Sequence, residues 1–281
     1  MKTLIRQVAG FCRDHPVCWT PLLIGAAIAV ALNGVSKYGR HLIIEWASGR
    51  QSVLGGRISI PLSNPVTEQR ALFASTIVAT VINLMLVLAM TFVFVAMARL
   101  AEKVLAGEVP STAEILRALM IQFRGIAWFS LQYSVCLFAV TLIGSLVFLS
   151  PDFKRLFAMT FLNTTPAISA LALVEVMALA YMLAVPAMRL VSPSQITTGF
   201  AKLESKAREL GLWFAFGNAA LGWCWDLVRF NVRFDPAISK TAAEFAANVA
   251  GNIPLLMLAV AFVMITAPDP ATEEPEVSAL A

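Results

Sequence analysis

ALFASTIVATVINLMLVLAMTFVFVAMA, residues 71 to 98, runs from end to end without a charged side chain. The hydrocarbon core of a bilayer is about 30 Å thick and takes roughly 20 helical residues to cross. The stretch therefore reads as a membrane-spanning helix. Working outward from it, similar apolar runs occupy 15–36, 125–151, 167–188 and 245–267. A shorter run at 210–228 reaches spanning length only by extending through Asp226. Of the 281 residues, 59% are hydrophobic and 14% charged, against about 45–50% and 25% in an average soluble domain. An ordinary soluble fold is excluded, and the expected class is an all-α polytopic membrane protein.

Three stretches beside the spans have amphipathic, basic patterns. Residues 2–13 place Leu4, Ile5, Val8, Phe11 and Cys12 on one helical face, flanked by Arg6 and Arg13. Residues 111–124 do the same with Ile115, Leu116, Leu119, Met120 and Phe123 beside Arg117 and Arg124. Ser111 and Glu114 there have the spacing of a capping box. Residues 195–210 set Ile196, Phe200, Leu203, Ala207 and Leu210 against Lys202, Lys206 and Arg208, with Glu204 one turn from Arg208. Each suits the headgroup layer as a short in-plane helix.

Together these stretches suggest a unit of in-plane helix, span, outer loop and span, used three times. That unit predicts six spans, with the basic helices on the cytoplasmic face. Counting basic residues on the two sides gives a near-even split for six spans and about two to one for five, so the positive-inside rule favours five. We take six, because anionic lipid then meets all three basic helices. Trp213, Trp223 and Trp225 leave only a thin span between them, which keeps the five-span arrangement open. The first run reads as an uncleaved span, since Arg13 and Asp14 and a long polar lead precede it.

Smaller features complete the expectations. Tyr38 to Ala47 reads as an interfacial helix with Trp46 as anchor, and 56–61 and 227–234 alternate like strands. Asn163 to Pro166 breaks the fourth run. Ala243, Ala247 and Gly251 form a small-residue stripe suited to close helix packing. Residues 268–281, acidic and proline-rich, read as a disordered tail.

Few residues offer chemistry. The cysteines at 12, 18, 136 and 224 form no CxxC pair, and the only histidines are His15 and His41, so no metal site or cofactor is expected. The net charge of +4 is dispersed, which argues against a nucleic-acid partner. GxSxG, HExxH and Walker motifs are missing, and enzymatic activity is not expected. The anomaly is Glu175, near the middle of the fourth span, where an ionised side chain costs roughly 2.5–3.5 kcal/mol on insertion scales. Its candidate partners are Asn83, Gln132, Asn218 and Asn252, or a backbone group freed by Pro186 or Pro254.

Gly107 to Ser111, followed by Glu114 to Ala118, and the N-terminal Arg13-Asp14-His15-Pro16 together resemble stretches of a group of bacterial six-helix membrane proteins. That group is similar to the membrane domain attached to some glycerophosphodiester phosphodiesterases. The resemblance implies a six-span protein of the bacterial inner membrane. The long first outer loop departs from the pattern, and without a phosphodiesterase domain no hydrolase activity carries over. Two functions are then expected. The first is a non-enzymatic scaffold or accessory subunit, with the lipid bilayer and another membrane or cytoplasmic subunit as partners. The alternative is a transporter or permease subunit with Glu175 as an intramembrane proton or cation site.

Overall fold

The computed structural model describes residues 2–48, 65–149, 164–191, 200–231 and 239–267. It consists of helices α1 (Lys2–Asp14), α2 (Thr20–Ser48), α3 (Pro65–Leu105), α4 (Thr112–Ile121), α5 (Phe123–Leu149), α6 (Thr164–Val191), α7 (Phe200–Asn231) and α8 (Ser239–Thr266). A short 3-10 turn, Pro16–Trp19, joins α1 to α2, and no strand occurs among the described residues. The fold is all-α. Five helices are long and apolar enough to cross a membrane, within Pro16–Ile43, Phe73–Leu105, Phe123–Val140, Leu173–Val191 and Thr241–Thr266. Helix α7 is not one of the five, yet it stands in the same bundle, between α6 and α8.

The six long helices form a ring in the order α2, α3, α5, α6, α7, α8, closed by α8 against α2, with α3 also packed on α8 across it. Gly25 meets Val93 and Gly39 faces Val78, so α2 and α3 run antiparallel along most of their length. Fully buried side chains gather at one end of the bundle, where α1 docks. They lie in 22–29 of α2, 91–101 of α3, 126–130 of α5, 179–191 of α6, 207–215 of α7 and 254–266 of α8, with Ile82 the outlier on α3. Dense packing thus seals the α1 end, and the far halves of the helices carry half-buried and exposed side chains.

Local sequence explains the corners. Pro16 has no amide hydrogen and opens the 3-10 turn at its first position. The indole of Trp19 donates to the Cys12 carbonyl at 2.8 Å, tying α1 to the start of α2. After α3, Gly107 adopts φ +73°, a left-handed conformation that glycine enters without penalty. The Glu108 amide then bonds the Lys103 carbonyl and the Gly107 amide bonds the Val104 carbonyl, the paired closure of a Schellman motif. Lys103 caps this corner by pairing with Glu108, and Glu114 lies 3.7 Å away.

Several expectations need correction. Ser111 does precede α4, but it makes no side-chain cap bond, and Glu114 turns to Lys103 instead of closing a box. The stretch 38–47 continues α2 and is no separate interfacial helix. Breaking that helix would expose amides in an apolar setting, a larger penalty than the roughly 1 kcal/mol of each glycine in it. Residues 200–210 are not a detached in-plane helix but the first part of α7, and 227–231 are its last turn rather than a strand. The 56–61 alternation, the rest of 227–234 and the tail 268–281 lie outside the described residues.

Candidate functional site

Three contacts fix how the helices stand against one another. Phe94 of α3 packs edge to face on Phe262 of α8, with centroids 6.3 Å apart. A Cβ on Gly211 of α7 would come within 2.9 Å of the Ala184 Cβ and 3.0 Å of the Ala180 carbonyl oxygen, so α7 touches the backbone of α6 there. The Asn218 Oδ1 lies 4.0 Å from where a Cβ on Gly251 would stand.

From these anchors, helix geometry gives heights and faces. Helices α3 and α8 run in the same direction, and eleven residues is close to three full turns (about 16 Å at 1.5 Å per residue). Asn83 therefore shares the face and height of Gly251, as Phe94 does of Phe262. Asn218 approaches Gly251 from α7, and Asn252 follows in the chain. The side chains of Asn83 and Asn218 are exposed and that of Asn252 is half-buried. Asn218 thus stands beside a residue without a side chain, just beyond the sealed half. Its carboxamide offers donors and an acceptor while staying neutral.

Glu175 stands at this height too, about 10 Å beyond the Gly211 contact along α6. Its face is different. Ala180 and Ala184, which meet α7, lie ~140–180° round the helix from it, so the carboxyl leaves α6 on the side away from Asn218. Leu190, which faces Gly125 of α5, is only ~60° round, and this places Glu175 on the flank toward α5. The side chain is half-buried and makes no hydrogen bond or ion pair among the described residues. Gln132 is half-buried on α5, nearer the sealed end by several residues. The structure thus brings Asn218 up to Gly251, next to Asn252 in the chain, and among the described residues no hydrogen bond joins Asn83, Gln132 or Glu175 to them.

Of the basic residues, Arg117, Arg124 and Lys206 are exposed. Lys202 lies in α7 with its side chain outside the described set. Arg208 is engaged: it donates to Glu204 Oε1 and to the Tyr181 hydroxyl, both at 3.0 Å, and its guanidinium sits 4.9 Å from the Tyr181 ring centroid. The partnership with Glu204 is the one its spacing predicted. Tyr181 belongs to another helix, and nothing in the sequence announces it. Two further ties were not foreseen: Lys37 Nζ donates to Glu244 Oε1 at 2.6 Å, joining the far ends of α2 and α8, and Ser130 of α5 lies 3.0 Å from Thr91 Oγ1 of α3. Among the described residues no group of three His, Cys, Asp or Glu side chains could hold a metal ion.

Outside the spans, burial pushes the Cys12 thiol up to about 11, and its neighbour Asp14 is held below the usual carboxylate range by its hydrogen bond from Arg13. The chain was compared with family models, curated proteins and solved structures, and no match was found in any of the three.

Proposed function

We propose that this protein is a non-enzymatic scaffold or accessory subunit of a membrane complex, seated in a bacterial inner membrane with its α1 end in the cytoplasm. The observation that carries the reading is the one-sided core. Close packing concentrates where α1, the Schellman corner and α4 frame a single face of the bundle. That face bears Arg13, Asp14, Glu102, Glu108, Glu114, Arg117 and Lys206 in exposed positions. A rigid, charged platform at the membrane surface suits docking of a cytoplasmic or membrane subunit, since surface charge steers encounter and fixes register.

The test is native mass spectrometry of the chain extracted gently from its own membranes. A second polypeptide in fixed stoichiometry, released by Arg117→Glu with Lys206→Glu, is the expected result. Recovery of the 30.4 kDa chain with lipid alone contradicts the reading.

A second reading, a transporter or permease subunit, draws on one specific observation: a half-buried Glu175 that makes no hydrogen bond or ion pair among the described residues. In proteoliposomes this reading expects proton- or cation-linked flux that Glu175→Gln abolishes. Stability should be left intact, because glutamine keeps a donor and an acceptor. Flux that is absent, or unchanged by the substitution, removes it.

A further inference from the structure

The three amphipathic segments have similar sequences but very different surroundings. In α1, Val8 and Cys12 are fully covered and Leu4 and Phe11 pack on the core. In the first part of α7, Ala207 and Leu210 are buried and Leu203 packs beside them. The described apolar side chains of both are largely spent on protein. Helix α4 differs. Only Leu119 is buried and Ile115 packs on the core, whereas Leu116, Met120 and Ile121 are 57%, 71% and 78% exposed.

This open face belongs to a larger surface. Gln122 interrupts the helix only slightly, since its amide still bonds the Ala118 carbonyl and its carbonyl accepts from the Ile126 amide. The exposed side therefore runs on from Met120 and Ile121 through Phe123 to Trp128, Leu131, Val135 and Phe138, all exposed, along a helix apolar enough to cross a membrane. Arg117, Met120, Ile121 and Arg124 have the spacing i, i+3, i+4, i+7 and so share one side. Both arginines are exposed and make no ion pair among the described residues. The acids of this corner, Glu108 and Glu114, are turned to Lys103. The free charge beside the apolar face is therefore positive.

We infer that the corner of α4 and the first turns of α5 is a seat for anionic phospholipid. The exposed apolar side chains lie among acyl chains, and Arg117 and Arg124 snorkel to donate to the lipid phosphate, where guanidinium recognises the anion through paired N–H groups. Continuity with the lipid-facing side of α5, together with the unopposed arginines, selects an anionic lipid over a second protein. The inference rests on the membrane placement proposed above and shares Arg117 with the docking face of the scaffold reading, so it is tested on the isolated chain, where a lipid response and the presence of a partner are read separately.

The test uses the purified full chain in detergent, titrated with phosphatidylglycerol, with phosphatidylcholine and with inorganic phosphate while thermal unfolding is followed. Phosphatidylglycerol alone should raise the midpoint, and Arg117→Gln with Arg124→Gln should weaken that response at least tenfold in apparent affinity. The paired lysine variants should retain most of it, and Lys206→Gln all of it. An equal response to inorganic phosphate identifies a simple anion site and overturns the proposal, as does a phosphatidylglycerol response unchanged in the double glutamine variant. A second measurement holds even if that variant misfolds. Wild-type fluorescence in nanodiscs should be quenched more by brominated phosphatidylglycerol than by brominated phosphatidylcholine, and Trp128→Phe should remove the difference. Equal quenching by the two lipids contradicts the seat.

Discussion

Phe94 of α3 and Phe262 of α8 meet at 88°, with both rings within the buried core. This contact sits where the two helices are fully packed, and Gly251, approached by the Asn218 carboxamide of α7, lies about three turns farther out along α8. The molecule is organised by that gradient from a closely packed end to one with exposed and half-buried side chains.

The gradient makes the effect of truncating a phenylalanine depend on its height and face. Phe262→Ala should lower stability by about 3–5 kcal/mol, the usual range for emptying a buried aromatic site. Phe138→Ala, at a position 70% exposed, should stay within about 0.5 kcal/mol. Thermal or chemical unfolding in a single detergent compares the two. Equal losses contradict the burial pattern.

Two glycines of α7 should respond with opposite sign. A Cβ at Gly211 would press on the Ala180 carbonyl and the Ala184 Cβ, whereas one at Gly217 would meet nothing within 4 Å. Alanine favours a helix interior over glycine by about 1 kcal/mol. Gly217→Ala should therefore stabilise by up to that amount. Gly211→Ala should destabilise, because α6 and α7 must separate to admit it. Unfolding midpoints of both variants decide the matter.

The Cys12 thiol gives a pH signature. Burial raises it from its ordinary 9.0 to about 11, so the folded state favours the neutral form more strongly than the unfolded chain does. Its contribution is complete below pH 9 and is lost as pH rises from 9 to 11. The change is of the order of 2–3 kcal/mol for a shift of this size. The stability difference between wild type and Cys12→Ala should shrink across that window. A difference flat from pH 8 to 11 contradicts the buried neutral thiol.

Which parts of this were legible in the residues follows from how local each feature is. The five longer apolar runs and the Glu204–Arg208 pair depend on neighbours in sequence, and all are found among the described residues. The extent of α2 and α7 was misread because the sequence shows where polarity changes, not where a hydrogen-bond ladder ends. Ser111 and Glu114 had the right spacing for a capping box, yet Lys103 from the preceding helix competed for the carboxylate. The four asparagine and glutamine candidates were visible as polar residues within apolar runs. That Asn218 meets Gly251 depends on the α7–α8 register, which is tertiary. Nor could the pattern show which amphipathic helix keeps an open apolar face, since all three have one until the bundle covers it.

The central claim, a bundle closely packed at the α1 end and accessible at Asn218, the height of Gly251, is tested most directly by site-resolved thiol accessibility. Asn218→Cys and Met97→Cys are made singly, and intact membranes are treated with a charged methanethiosulfonate reagent applied to both faces. Peptide mass spectrometry then reads each site, with the buried native Cys12 and Cys18 as internal controls. Asn218 is exposed beside Gly251, whereas Met97 is fully buried. The account expects the cysteine at 218 to react within minutes, and the one at 97 to stay unmodified until the protein is denatured. Protection at 218, or ready reaction at 97, contradicts it.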